Sequence, residues 1–110
     1  MTKKLIPGEK TPSLILETLS NNLWSLDDNI NKTKSLIIFY RGLHCPVCSE
    51  FLKLLDTQLE DYKKSNTEVI VISMDNKEKA IKAKKNWGLK NLNIAYGLSE
   101  EKAREWNLYI

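Results

Sequence analysis

The feature that most constrains the fold is a change of hydrophobic pattern within residues 35–62. Residues 36–40 form an uninterrupted apolar run rich in branched and aromatic side chains, and a glycine follows at position 42. Such a run predicts a strand that is buried on both faces. Beyond the glycine, apolar residues recur at helical spacing, namely at Val47, Phe51, Leu55, Leu59 and Tyr62. This spacing predicts one amphipathic helix running to about residue 64, with the stripe packed inward.

The chain's only two cysteines, Cys45 and Cys48, lie where this strand turns into this helix, and its only histidine, His44, precedes them. The first turn of a helix exposes free backbone N–H groups and the positive end of the helix dipole, which favour a thiolate over a thiol. Pro46 suits the first helical position, and Arg41 and His44 are predicted to stabilise negative charge on sulfur. We therefore predict that Cys45 ionises at a lower pH than a free cysteine. We also predict that Cys48, one turn further along the same face, can form a disulfide with it.

Other roles for the two cysteines stay open at this point. A structural zinc site normally takes four Cys or His ligands, and this chain supplies three. Two thiols can also pack as small apolar side chains. A Cys-x-x-Cys pair beside a βαβ pattern nevertheless favours thiol redox chemistry, so we expect neither a metal nor a cofactor.

The flanking segments predict an α/β domain. Residues 13–19 and 23–26 predict a β-hairpin around the turn at Ser20-Asn21-Asn22. Residues 67–74 are β-branched and apolar enough for a central strand. Strand, helix and strand within residues 35–74 predict a βαβ unit with parallel strands and a right-handed crossover.

The remaining elements are predicted from local signals. The predicted elements are a loop over 27–34, a helix over 77–87 that Asp75-Asn76 caps and Gly88 ends, a short strand over 92–96, a helix from Ser99, and an extended segment over 106–110. Tyr40 and Trp87 are predicted as core side chains.

Size and charge narrow the classes of function. A length of 110 residues predicts one domain over 1–110, with 1–12 as a polar N-terminal arm. The net charge of +3 is too small to favour a polyanionic partner. The lysine-rich stretch 77–90 has no nucleic-acid recognition motif, and its one aromatic residue, Trp87, is predicted to pack inward. No stretch predicts a signal peptide or a membrane span. We therefore expect a cytoplasmic protein that binds neither nucleic acid nor membrane, a setting in which paired cysteines are more often catalytic than structural.

The segment around the cysteines resembles the active-site segment of peroxiredoxin-like proteins of the alkyl hydroperoxide reductase and thiol-specific antioxidant superfamily. It reads Phe39-Tyr40-Arg41-Gly42-Leu43-His44-Cys45-Pro46-Val47-Cys48. The resemblance extends over residues 12–110 and includes Tyr96-Gly97-Leu98 followed by Ser99-Glu100-Glu101. It implies a thioredoxin-like βαβ core with an N-terminal β-hairpin. It also implies a further β-hairpin and helix after Ile110, so we expect either a truncated domain or one that a partner chain completes.

The same resemblance implies a redox cycle. Cys45 would be the attacking, peroxidatic thiol and Cys48 the resolving one, and an external dithiol reductant such as a thioredoxin would reopen their disulfide. Two positions depart from the family pattern, since Ile38 replaces its proline and Gly42 its threonine or serine. No proline follows Pro46, whereas thioredoxins proper place a cis-proline loop opposite the cysteines.

Three functions are compatible with these residues. Peroxide reduction is the preferred interpretation. Thiol–disulfide exchange of the thioredoxin or glutaredoxin type is the first alternative, and an inactive binding or assembly module is the second. Association into a homo-oligomer is compatible with each of them.

Overall fold

The computed structural model describes residues 14–26 and 34–106. The predicted N-terminal arm, residues 27–33 of the predicted loop and residues 107–110 of the predicted extended segment lie outside the described residues. Lys34, predicted as the last loop residue, is instead the first residue of a strand. In chain order the elements are β1 (Ile15–Glu17), β2 (Leu23–Ser25), β3 (Lys34–Phe39), α1 (Pro46–Thr57), α2 (Leu59–Lys64), β4 (Thr67–Ile72), α3 (Lys77–Trp87), β5 (Asn93–Ala95) and α4 (Glu100–Glu105). No helix among the described residues is long and apolar enough to cross a membrane.

The predicted N-terminal hairpin is confirmed. Strands β1 and β2 are antiparallel, with Leu16 opposite Trp24. The turn that joins them is closed by the buried Thr18, whose backbone N–H donates to the Asn22 carbonyl at 2.9 Å. Backbone hydrogen bonds from Leu19 N–H to the Ile94 carbonyl and from Tyr96 N–H to the Glu17 carbonyl then attach the hairpin to β5 and its following loop.

A three-stranded parallel sheet with the order β3-β4-β5 forms the centre of the fold, which confirms the predicted parallel pairing. Strand β4 is central, and its residues Val69 to Ile72 are all buried. The prediction that β3 is buried on both faces is confirmed only in part. Ile37 and Phe39 pack on one face of the sheet and Leu36 and Ile38 on the other, but Lys34 is exposed and the other five residues are only half-buried. Strand β3 has β4 as its single neighbour, and no other described strand pairs with its outer edge.

Side chains of β4 alternate between two hydrophobic clusters on opposite faces of the sheet. Ile70 and Ile72 belong to the cluster that includes Trp24 of the hairpin and Ala103 of α4. Val69 and Val71 belong to the cluster that is completed by α1 and α3, including Leu52, Leu55 and Ala80. The sheet is thus covered on one face by the hairpin and α4, and on the other by α1 and α3.

The prediction of one continuous helix to about residue 64 is wrong. Helix α1 ends at Thr57, and α2 begins at Leu59 after Gln58, whose N–H donates to the Leu55 carbonyl at 2.9 Å. The predicted inward stripe is wrong in its first two members. Val47 is 78% exposed and Phe51 53% exposed. The buried residues of α1 are Ser49, Leu52 and Leu55.

The reason for this error is geometric. A stripe that steps by four residues rotates by about 40° at each step around a helix of 3.6 residues per turn. Several apolar stripes were therefore available on α1, and contact with β4 and α3 selects the one through Leu52 and Leu55. Leu59 and Tyr62 still pack against this cluster, but from the separate helix α2.

The helices predicted from capping signals are confirmed. Helix α3 begins at Lys77 after Asn76, whose side-chain oxygen accepts the Lys79 N–H at 2.9 Å, and it ends before Gly88 with φ 65°. Helix α4 follows Ser99, whose hydroxyl oxygen accepts the Lys102 N–H at 3.0 Å. Both caps satisfy backbone donors that would otherwise lack a partner in the first helical turn.

Candidate active site

The two cysteines lie at the edge of the sheet where the parallel strands end. Strand β3 ends at Phe39, and the loop that follows leads into α1 at Pro46. The loops after β4 and β5 start from the same edge, because all three strands run in parallel. In open α/β sheets this is the edge at which ligands bind and reactions take place.

Cys45 is the N-cap residue of α1. Its backbone is extended, with φ −102° and ψ 103°, and its Sγ accepts the Cys48 backbone N–H at 3.3 Å. Sulfur thus occupies the place that a serine or aspartate oxygen takes in most N-caps. Pro46 is the first residue of the helix, as the sequence predicts.

The environment of Cys45 lowers the pKa of its thiol below the ordinary value. The largest cause is a hydrogen bond from the Cys48 thiol, followed by the Cys48 backbone N–H. The positive charge of Arg41 and the Val47 backbone N–H act in the same direction, and partial desolvation opposes them. At a given pH a larger fraction of Cys45 is therefore thiolate than of a free cysteine.

The pKa of Cys48 is shifted in the opposite direction. Burial raises the pKa of the Cys48 thiol, and its hydrogen bond to Cys45 together with the Cys45 charge raises it further. Both cysteines are free thiols and half-buried. Two neighbouring groups with different pKa values can take different roles in one reaction, because one supplies the nucleophile while the other keeps its proton.

Two other predicted site residues, Arg41 and His44, differ in whether they act on Cys45. Arg41 is exposed, yet its charge acts on the Cys45 sulfur. His44 is also exposed, and it is absent from the interactions that shift the pKa of Cys45. The structure thus brings Arg41, Cys45 and Cys48 together. The roles assigned to these three residues, to His44 and to Pro46 stay predictions.

Comparison with known sequences decides the family. The sequence model of the AhpC/TSA family matches residues 7–110. The chain belongs to the AhpC/TSA family. This AhpC/TSA protein is 35% identical over 88 residues to a peroxiredoxin of Ignicoccus hospitalis, a match that covers 79% of the chain and 36% of that relative. The chain therefore spans about a third of that relative's length.

Solved structures confirm the thioredoxin fold of this AhpC/TSA protein. A reduced 2-Cys peroxiredoxin of Plasmodium vivax superimposes with a TM-score of 0.81 at 22% identity, over 94% of this chain and 69% of that one. The thioredoxin domain of a thiol-disulfide oxidoreductase from Bacteroides vulgatus superimposes with a TM-score of 0.80 at 18% identity, over 97% of this chain and 77% of that one. The fold is therefore shared with a protein named a peroxiredoxin and with a domain of one named a thiol-disulfide oxidoreductase.

A polar group around the Tyr40 hydroxyl of this AhpC/TSA protein was not predicted from the sequence. Tyr40 is half-buried and meets Trp87 edge to face, with ring centroids 6.1 Å apart, as expected of a core residue. Burial raises the pKa of its hydroxyl, which a hydrogen bond with Ser73 partly offsets and the charges of Asp75 and Cys48 reinforce. The hydroxyl end of Tyr40 therefore faces a polar group formed by Ser73, Asp75 and Cys48.

A sequence signal for this group exists. Ser73 and Asp75 follow β4 directly, and residues at the ends of adjacent parallel strands converge at one sheet edge. Asp75 was predicted from the sequence only as part of a helix cap. Within residues 14–26 and 34–106, no three His, Cys, Asp or Glu side chains are grouped so that they could hold a metal ion.

Because Arg41 lowers the pKa of Cys45 and His44 is not among the groups that do so, replacing each should affect this AhpC/TSA protein differently. Arg41→Ala should raise the pKa of Cys45 and slow its alkylation at pH 7 by about twofold, since the arginine is exposed and screened by solvent. His44→Ala is the matched control and should leave the alkylation rate unchanged. The measurement is the rate of iodoacetamide labelling of Cys45 between pH 4 and pH 10, which falls as the pH drops through the Cys45 pKa and the thiolate is protonated. A larger change in His44→Ala than in Arg41→Ala would contradict this assignment.

Proposed function

We propose that the protein is a thiol-dependent oxidoreductase that reduces peroxides, with Cys45 as the attacking thiolate and Cys48 as the resolving thiol. The observation that supports this proposal is the environment of the two sulfurs. The Cys45 sulfur accepts the Cys48 N–H at the start of α1 and has a lowered pKa, whereas the neighbouring Cys48 thiol has a raised one. A nucleophile and a second thiol that still carries its proton are the two groups the reaction needs.

The proposed cycle begins when the Cys45 thiolate attacks one peroxide oxygen. The O–O bond breaks, the leaving oxygen takes up a proton to become an alcohol or water, and Cys45 is left as a sulfenic acid. The Cys48 sulfur then attacks the Cys45 sulfur, and the Cys48 proton leaves with the hydroxyl as water. An external dithiol such as a thioredoxin reduces the resulting disulfide by thiol–disulfide exchange and becomes oxidised itself.

Thiol–disulfide exchange is the second candidate function, and a departure from the family pattern favours it. Gly42 stands three residues before Cys45, where the resemblance implies a threonine or serine, so no hydroxyl from this position can orient a peroxide. In this reaction the Cys45 thiolate would attack a substrate disulfide, and Cys48 would release the mixed disulfide. The same two residues would act in the same order on a different substrate.

A rapid-mixing experiment separates these two functions. The reduced protein is mixed with hydrogen peroxide, and loss of the Cys45 thiol is followed by quenching with iodoacetamide and peptide mapping. We expect Cys45 to react at least about tenfold faster than free cysteine at pH 7, because more of it is thiolate and its site is organised for attack. A rate no faster than that of free cysteine would exclude peroxide reduction.

The alternatives need two further measurements. Rapid reaction of Cys45 with a peptide disulfide, together with slow reaction with peroxide, would establish thiol–disulfide exchange instead. Mass spectrometry after mild oxidation tests whether the thiols react at all. Failure to lose two hydrogens at Cys45 and Cys48 would favour an inactive binding or assembly module.

A further inference from the structure

Asp75 connects the loops that follow all three strands of the parallel sheet. Its carboxylate Oδ2 accepts the backbone N–H of Leu43, in the loop after β3, at 2.8 Å. Its backbone carbonyl accepts the N–H of Gly97, in the loop after β5, at 2.8 Å. Its own N–H donates to the hydroxyl oxygen of the fully buried Ser73 at 3.3 Å. One residue thus holds the loop of Cys45 against the rest of this sheet edge.

The contact between Asp75 and this loop is close enough to require a glycine. Gly42 has φ +128°, a conformation that side chains rarely adopt. A Cβ atom built on Gly42 would lie 2.7 Å from each carboxylate oxygen of Asp75. No real Cβ atom approaches an oxygen so closely, so any side chain here would displace the carboxylate from Leu43.

The anchored loop in turn determines where Cys45 lies. The Cys45 backbone N–H donates to the Gly42 carbonyl at 3.2 Å, so the loop closes as a turn of four residues. The Cys45 carbonyl accepts the Ser49 N–H at 3.1 Å, the first hydrogen bond of α1. The Cys45 backbone is therefore held from both sides, by the turn on Asp75 and by the helix.

We propose that Asp75 is a positioning residue whose carboxylate, by binding the Leu43 N–H, keeps the Cys45 sulfur at the N-terminus of α1. This inference rests on the proposed function in taking Cys45 as the attacking thiol. It assigns to Asp75 no contact with substrate and no proton transfer.

Charge and positioning predict opposite effects, which makes the inference testable. The titratable groups that shift the pKa of Cys45 are Cys48 and Arg41, whereas the charge of Asp75 acts on Tyr40. If Asp75 influenced Cys45 through its negative charge, removing that charge would favour the thiolate and speed the reaction. If Asp75 acts through its hydrogen bond, removing the carboxylate loosens Cys45 from the helix N-terminus and slows the reaction.

The experiment compares three variants of the full chain by the pH profile of Cys45 alkylation with iodoacetamide, assigned by peptide mapping. Asp75→Ala removes the acceptor, whereas Asp75→Asn keeps an oxygen acceptor without the charge. Asp56→Ala is the matched control, because the Asp56 carboxylate also accepts backbone N–H groups of a loop, those of Lys90, Asn91 and Leu92 at 2.8 to 3.1 Å, but away from the cysteines.

We expect Asp75→Ala to slow alkylation at pH 7 by about fivefold and to move its profile to higher pH, as loss of an N-cap contact to the thiolate requires. Asp75→Asn and Asp56→Ala should stay within about twofold of the parent chain. An Asp75→Ala profile identical to that of the parent, or faster alkylation in both Asp75 variants, would overturn the inference.

A second pair of variants keeps the test decisive if Asp75→Ala does not fold. Gly42→Ala should displace the carboxylate and shift the profile in the same direction as Asp75→Ala. Gly88→Ala also places a side chain at a positive φ, here +65°, but no atom lies within 4 Å of its Cβ, so this variant should leave the profile unchanged. An unchanged profile in Gly42→Ala would overturn the inference. Because alkylation needs no peroxide, these results are independent of whether the protein reduces peroxides.

Discussion

Replacing Cys45 with serine is expected to abolish peroxide reduction, with a loss on the order of a thousandfold or more, because a hydroxyl at this position cannot replace the thiolate as nucleophile. The physical reason is the environment of its sulfur, which stabilises a negative charge through the Cys48 thiol, the Cys48 N–H and Arg41. Turnover is measured with hydrogen peroxide and excess dithiothreitol.

Cys48→Ser is the matched comparison and should lose turnover at a later step, the resolution of the sulfenic acid. Cys45 would still react with one equivalent of peroxide, but its sulfenic acid would find no second thiol and would accumulate. Labelling with dimedone should therefore detect the sulfenic acid in Cys48→Ser and not in Cys45→Ser. Turnover by the Cys45→Ser variant, or dimedone labelling of it, would contradict the assignment of Cys45 as the attacking residue.

Replacing Leu52 with alanine should cost about 2–5 kcal/mol of unfolding free energy, the range found for deleting a buried leucine side chain from a packed core. Leu52 is fully buried between the sheet and α3, in the cluster that also contains Val69, Val71 and Ala80. For a domain of this size, such a loss is a large fraction of the total stability. Urea unfolding followed by tryptophan fluorescence measures it.

Leu54→Ala tests the same helix on its other face. Leu54 is 59% exposed and lies two residues from Leu52, so the identical truncation should change the unfolding free energy by less than about 0.5 kcal/mol. Equal losses in the two variants would show that α1 is rotated from the position described above. A larger loss in Leu54→Ala would mean that its exposed face is covered in solution.

Several elements could be predicted closely because their signals are local. Helix α3 begins and ends where Asn76 and Gly88 predict, since an N-cap and a left-handed C-cap involve only residues within one helical turn. The position of Cys45 before a helix opened by Pro46 was predictable for the same reason. The parallel βαβ pairing followed from the length of the connection between β3 and β4.

The errors concern contacts between residues far apart in the chain. The burial of β3 depends on how many strands flank it, and a run of apolar residues carries no information about its neighbours. The face of α1 that packs inward depends on what β4 and α3 present to it. Asp75 lies thirty-two positions from Leu43. The sequence indicates that both segments meet at one sheet edge, but not that the Asp75 carboxylate binds the Leu43 N–H.

The sequence by itself determined the βαβ order, both ends of α3 and the placement of two thiols at the start of α1. The helix caps were predictable because hydrogen bonds within one turn decide them, whereas the break at Gln58 between α1 and α2 was not predicted. Only the tertiary structure decided which apolar stripe of α1 is buried and that β3 lies at an edge among the described strands. It also decided that the Asp75 carboxylate lies against Gly42. These features depend on packing between surfaces that meet only when the whole sheet has formed, and such packing is specified by shape and distance rather than by local spacing along the chain.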